Sequence, residues 1–425
     1  MNRKIAPKIK DAVDYSLVLK PYEHYKLDNG IDVYSVNAGA QEVLQLEMIF
    51  YAGNSFEKQK GIAAATNFLL KNGTKTKSAF EINEAFEYYG GYCNRACYNE
   101  TATVTLHCLT KQIDKLLPIM QDMITESVFS EEELSTYKQN SLQRLKVNMQ
   151  KAEFVAGRLI DSYIFGEQHP YGVYTHPVDI ENVNVEACRK FYNDYYLNGK
   201  CIIFVSGKFT EELKKQLNGA FGKLNTNTKN IVVPSFQSVT ANERKFRIDN
   251  DTNAVQGAIR IAMPFPNRHH PDFKKVMVLN TLYGGFFGSR LMSNIREDKG
   301  YTYGIYSYIQ NHIKESAWVI STEAGKDVSE AAIQEIYNEM QKLREEKIDD
   351  EELLLVRNYM IGGILGELDG PFQIMAKWKN IILNDMDESY FYDSVNEIKA
   401  VNADQLMDLA NKYLRPENFW ELVVY

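Results

Sequence analysis

Apolar and polar residues alternate with a period of two over Val43–Tyr51 and again over Gln256–Met263. Side chains two residues apart share one face of an extended chain, so each segment reads as a half-buried strand. Thr103–Leu109 repeats the pattern, with Val104, Leu106 and Cys108 on a common face. Cys201–Val205 and Glu421–Tyr425 are apolar, strand-like runs, and helical stretches lie between the strands. Ser130 with Glu133, and Asp349 with Glu352, have capping-box or near-capping-box spacing, so a long helix is expected to start at each.

The pattern is written twice. Phe129-Ser-Glu-Glu-Glu-Leu134 returns as Ile348-Asp-Asp-Glu-Glu-Leu353, 219 residues later. Val183-Asn184, followed after eleven residues by Tyr195, returns as Val401-Asn402 and Tyr413 at an offset of 218. Two matches at nearly one offset imply two similar domains. Their interleaved strands and helices predict an α+β fold of mixed α/β layers. The stretch up to Glu243 is rich in Asn, Thr, Ser and Lys and contains Pro234, which marks a linker. The expected division is a first domain at 1–228, a linker at 229–243 and a second domain at 244–425.

Composition narrows the function. The 425 residues carry a formal net charge of −8, which disfavours a nucleic-acid partner or a polybasic membrane anchor. Lys8, Lys10, Asp11 and Asp14 interrupt what a secretory signal would need as an apolar run, and no apolar stretch of about 18 residues occurs, so no membrane span is expected. Five cysteines without a C-x-x-C pair suit a reduced, cytoplasmic protein.

Several segments together resemble the insulinase-like (pitrilysin) zinc peptidases. Gly61–Thr74 resembles the segment that carries their H-x-x-E-H motif, and Tyr89-Gly-Gly-Tyr-Cys-Asn-Arg-Ala96 resembles the glycine pair and strand that follow. His169-Pro-Tyr-Gly172 is similar to the loop after the long helices. Tyr283-Gly-Gly-Phe-Phe-Gly-Ser-Arg-Leu291 and Ile295–Tyr303 resemble the glycine turn and the helix-to-strand segment of the second half. The resemblance runs from about Tyr25 to the end of the chain. It implies paired α/β domains, two such pairs facing each other around a chamber, with zinc in only one pair of the two-chain members.

The zinc motif itself is missing. Two histidines one helical turn apart would hold the metal, a glutamate beside them would act as base, and a carboxylate from a second helix would complete the ligands. The aligned residues here are Ala64, Asn67 and Phe68, and the second helix offers Gln143 or Arg144. Four chemical roles are absent at once, so no metal or other cofactor is expected in this chain. No pair of the seven histidines has i, i+4 spacing. His269, His270 and Asp272 are the one cluster and read as a surface loop. Asp249, Asp251 and Asn253 have the look of a calcium loop, but Ala254 and Arg260 stand where it needs Gly and Glu.

By the same resemblance, Arg296 and Tyr303 match a pair that reaches substrate across the chamber. Arg296 should lie in the last turn of a helix that begins after Ser289 and ends at Gly300, with Tyr303 opening the next strand. The bland alternative pairs Arg296 with Glu297 or Asp298 and leaves Tyr303 in the core. Gly284, Gly285 and Gly288 are not a phosphate loop, because Ser289 stands where that loop needs Lys, and they read as close backbone packing. The expected function is a non-catalytic, substrate-binding subunit. Its partner is a zinc-bearing chain of the same family and its substrate is short peptides; pairing with a second copy stays open. The alternatives are a scaffold subunit, or an independent enzyme using Cys93 or Cys97 as nucleophile.

Overall fold

A computed structural model describes residues 10–225 and 233–425. Residues 1–9 and 226–228 of the expected first domain and 229–232 of the expected linker lie outside the described residues.

The first half contains strands β1 (Glu23–Lys26), β2 (Asp32–Asn37), β3 (Val43–Phe50), β4 (Tyr92–Cys97), β5 (Ala102–Leu109) and β6 (Cys201–Gly207). Its helices are α1 (Ile62–Leu69), α2 (Ala79–Tyr88), α3 (Ile113–Thr125), α4 (Glu131–Asn148), α5 (Ala152–Phe165), α6 (Pro177–Asn182), α7 (Val185–Tyr192) and α8 (Glu212–Phe221). The second half contains β7 (Lys245–Ile248), β8 (Gln256–Phe265), β9 (Thr302–Asn311), β10 (Ser316–Gly325) and β11 (Trp420–Val424). Its helices are α9 (Phe273–Asn280), α10 (Ser329–Glu345), α11 (Asp350–Gly366), α12 (Pro371–Leu383), α13 (Ser389–Ala400) and α14 (Ala403–Tyr413). The alternating segments are β3 and β8, and the two acidic starts cap α4 and α11. Ser130 Oγ accepts the Glu133 N–H at 3.2 Å, and Asp349 Oδ1 accepts the Glu352 N–H at 2.7 Å.

The first sheet runs β1-β2-β6-β3-β5-β4 and the second β7-β11-β8-β10-β9. Apart from the added β1, the two orders are the same. β2 and β6 pair parallel, as do β7 and β11, and the remaining neighbours pair antiparallel. The sequence repeat is therefore a repeat of topology.

Packing crosses between the halves. Helix α5 belongs to the first half in sequence but packs on β8 and β11 of the second sheet. Its Val155, Ile160 and Ile164 share a core with Ala258, Ala262 and Leu422. The alanines leave room for the helix to lie close to the sheet. In return, α12 packs on β2 and β6 of the first sheet. Its Trp378 sits edge-on against Tyr22, 4.7 Å between ring centres, and donates its indole N–H to Lys20 O at 2.8 Å. Each half thus supplies a helix that buries the other half's sheet, a burial that neither half makes alone.

The crossing also carries charge. Lys379 Nζ on α12 reaches Glu47 Oε2 on β3 at 2.8 Å, and Glu47 is buried. Lys379→Met is expected to destabilise the fold by about 1.5 kcal/mol, because it leaves that carboxylate without its charged donor. Urea unfolding of the two proteins measures this, and equal midpoints would show that solvent, not Lys379, satisfies Glu47.

Candidate functional site

Helix α1 occupies the position of the zinc motif. It starts at Gly61, whose φ of +88° suits glycine. The Glu57 carboxylate accepts N–H bonds from Gly61 at 3.1 Å and Ala63 at 2.8 Å, satisfying two donors at the helix start. Burial pushes the Glu57 carboxyl up to about 7 despite these bonds. Asn67 is 3% exposed, and its amide donates to Thr103 O at 3.3 Å and Tyr196 Oη at 3.2 Å. Ala64 faces solvent.

Phe68 is sandwiched. The Tyr137 ring of α4 lies 5.0 Å from it, and the Arg95 guanidinium of β4 sits over its face at 4.9 Å. Arg95 also donates to Phe68 O and, at 3.1 Å, to Asn72 Oδ1. On α4, Gln143 and Arg144 are exposed, and Arg144 Nη2 meets only Ser141 Oγ at 3.4 Å. The residues present do not fit zinc. They supply a methyl group, a committed amide, an aromatic ring and a guanidinium that would repel a dication. Among the described residues, no three His, Cys, Asp or Glu side chains converge in a way that could hold a metal ion.

The second half is built differently. The chain turns at Gly284, where an added Cβ would lie 2.7 Å from Ser307 Cβ and 2.9 Å from Leu291 Cδ1, so glycine lets the end of α9 approach β9. The helix expected after Ser289 is present, and over Met292–Asp298 it is π-helical. Lys299 N–H reaches back five residues to Asn294 O at 3.0 Å. The wide turn takes up one extra residue. Gly300, with φ of +65°, ends the helix.

Arg296 sits in its last turn and donates Nε–H to Tyr303 O at 2.9 Å. The guanidinium lies over the Phe287 ring at 4.6 Å, and its Nη1 also makes a long ion pair with Glu297 Oε1 at 3.9 Å, as the alternative reading expected. Tyr303 lies in β9 and is 92% exposed. Phe286 stacks on Tyr359 of α11 at 4.6 Å. The fold brings the Arg296 side chain against the Tyr303 backbone, and exposed aromatic surface runs from Phe287 under the guanidinium to Tyr359, which is stacked on Phe286. That surface, from Phe287 and Tyr359, was missed in the sequence; its signal was the Phe286-Phe287 pair beside glycines. The Arg95 bridge over Phe68 was missed as well, and nothing local in the sequence signals it.

Two family models match the chain: residues 33–171 match insulinase (peptidase family M16), and residues 182–360 match the peptidase M16 inactive domain. The chain belongs to the insulinase family. It is 23% identical over 396 residues to a Bacillus subtilis protein described as an uncharacterized zinc protease, YmxG, covering 92% of this chain and 95% of that one. It is 21% identical to a probable mitochondrial-processing peptidase subunit beta of Arabidopsis thaliana, over 91% of this chain and 75% of that one. Two solved structures share the fold. A peptidase M16 inactive domain from Pseudomonas fluorescens superposes with a TM-score of 0.85 at 20% identity, covering 95% of this chain and 98% of that one. A protease from Helicobacter pylori gives a TM-score of 0.85 at 18% identity, covering 96% and 100%.

Other candidate chemistry in this insulinase-family chain does not assemble. The His269 ring bonds to Asn384 O at 2.9 Å, His270 Nδ1 accepts the Asp272 N–H at 3.2 Å, and Asp272 Oδ2 is held by Lys412 and Tyr413 at 2.6 and 2.7 Å. The three residues point to separate partners. Burial pushes the Cys93 thiol up to about 11 and Cys97 up to about 12. Nucleophilic attack needs the thiolate, which these surroundings suppress. No helix among the described residues is long and apolar enough to cross a membrane.

Proposed function

We propose that this chain is the non-catalytic, substrate-binding subunit of a two-chain zinc peptidase acting on short peptides, with the metal held by a partner chain of the same family. The observation that carries this reading is a contrast within one molecule. The zinc position is filled by the Arg95–Phe68–Tyr137 stack, while Tyr303 stands exposed at the surface with the half-buried Arg296 guanidinium beside its backbone.

The chemistry follows from what those side chains offer. A guanidinium and a phenol supply donors for a peptide carbonyl, and they can meet the charge that develops on it when water attacks in the partner's site. Phe287 and Tyr359 offer apolar contact for a neighbouring side chain. The edge strands β4 and β9 each present one unpaired side, onto which an extended peptide can add through backbone bonds. In this reading the chain works in the cytoplasm and binds no nucleic acid or membrane.

The test mixes a zinc-bearing family member from the same genome with this chain and follows cleavage of a quenched fluorescent peptide. Activity should rise sharply only in the mixture. Arg296→Ala with Tyr303→Ala should remove at least about tenfold of the gain, the value of one or two charge-assisted contacts. A mixture no faster than the zinc chain alone would leave this chain a scaffold. Cleavage by this chain alone would show that the α1 region is not inert.

A further inference from the structure

A second site stands apart from the peptide surface and does not depend on it. Helices α9, α11, α12 and α13 line a cavity of about 200 Å³, open on one side to solvent, in the second half. Its interior wall is apolar, with Met277, Met360, Ile364, Ile381 and Ile398. Three cations border it: Arg268, Lys274 and Lys377.

Two of those cations are already answered. Lys274 pairs with Asp393 at 3.0 Å, and Lys377 pairs with Glu367. Arg268 is different. Its Nε is buried and has no hydrogen-bond partner. The Tyr390 hydroxyl hydrogen-bonds with it, and among the described residues no carboxylate forms an ion pair with it. Burial lowers the guanidinium below its usual range. A half-buried guanidinium whose Nε is cut off from both water and a partner is a costly arrangement that an anion would relieve.

The surroundings say where the anion would sit. On its other side, Arg268 borders a polar depression carrying Asp385, Asp387, Asp393 and Glu397, which would repel an anion. The cavity side has an apolar wall and no carboxylate lining it. Its remaining polar side chains are engaged locally. Asn311 donates to Ile309 O at 3.1 Å, Ser394 donates to Tyr390 O at 2.6 Å, and Asn380 accepts from Asn384 at 3.1 Å. The size sets the ligand. A cavity of roughly 150 Å³ holds benzene, so this one suits a carboxylate with about five to seven carbons.

We infer that the cavity between α9 and α11–α13 binds a small monocarboxylate with an apolar body, its carboxylate on Arg268 and its tail against Met360, Ile364 and Ile381.

Calorimetric titration of the full chain with hexanoate tests this, alongside 1-hexanol, which has the tail without the charge, and inorganic phosphate, which has charge without a tail. Hexanoate should bind one-to-one and at least tenfold tighter than either control. Arg268→Gln should lower its affinity at least tenfold and bring it to that of hexanol. Ile364→Phe, which fills the cavity from its apolar lining, should also lose hexanoate and serves if Arg268→Gln fails to fold. The proposal is overturned by absence of saturable hexanoate binding, by hexanol or phosphate binding as tightly, or by hexanoate binding unchanged in either variant.

Discussion

Replacing Asn67 with glutamate, the residue the family motif carries there, is expected to destabilise the protein by about 3 kcal/mol at neutral pH. Asn67 is 3% exposed, and its amide nitrogen donates to Thr103 O and Tyr196 Oη. A carboxylate in its place can only accept: it reverses the bond to the Tyr196 hydroxyl, which must turn to donate, and it sets an acceptor against the Thr103 carbonyl. No cation is positioned to answer it. Arg95, which lies over the neighbouring Phe68 ring, directs its Nη1 to Phe68 O and Asn72 Oδ1. The sign of the pH effect follows. Burial raises the folded-state pKa of the new carboxyl above its unfolded value, so the variant keeps its stability at low pH and loses it as pH rises through the raised pKa. Thermal unfolding of Asn67→Glu at pH 4 and pH 8 measures this. A defect of equal size at both would mean that packing, not charge, is at fault. Restoring the zinc motif therefore requires rebuilding the Arg95–Phe68–Tyr137 stack as well as exchanging three residues of α1.

Asp161→Asn is expected to act in the opposite direction, stabilising the protein at pH 8 by about 2 kcal/mol and leaving it unchanged at pH 4. Asp161 lies on α5, 218 residues before Lys379 on α12, the offset of the repeat. Lys379 meets Glu47. Among the described residues, Asp161 meets only Gln310, whose Nε2 donates to Oδ2 at 3.3 Å. Arg260 of β8 is turned to Glu323 at 3.2 Å, and burial pushes the nearby His312 ring down to about 4, which leaves it neutral. With no cation to offset burial, the Asp161 carboxyl is pushed up to about 7. A folded pKa above the unfolded one means stability that is intact below about pH 4 and lost as pH rises through about 7. A displacement of that size corresponds to at most about 4 kcal/mol. Water reaching the partly buried carboxyl brings the expected gain to about 2 kcal/mol. Asparagine does not titrate and keeps an acceptor for Gln310. Urea titrations at the two pH values decide it: no gain at pH 8 would show that the carboxylate is solvated in the folded protein.

These two residues show where reading the chain by itself stops. The period-two segments became β3, β5 and β8 because alternation follows from the geometry of an extended backbone, whatever packs against it. Ser130 and Asp349 became helix caps because a cap is made within four residues. The repeat became two sheets of matching order, and the missing zinc donors could be read at once, since a methyl group and a phenyl ring lack lone pairs for a metal in any fold. Gly300 ended its helix as expected, and Arg296 and Tyr303 met because only seven residues separate them.

What the tertiary structure alone decided depends on contacts between distant segments. Nothing in the sequence of α5 or α12 says that each covers the other half's sheet, because an apolar helix face does not name the sheet it will bury. The same holds for charge. Asp161 and Lys379 are equivalent in the repeat, yet one is left with an amide and the other finds a carboxylate, since the partner comes from the opposite half. Arg95 over Phe68 and the unpaired Arg268 are of the same kind: a guanidinium's place in the sequence does not fix how much water it loses or which anion it meets. The sequence determined the elements, their repetition and the loss of the metal donors, all consequences of local geometry and side-chain chemistry. Burial, and with it which polar groups are satisfied and which are left waiting, was settled only when the two halves packed together.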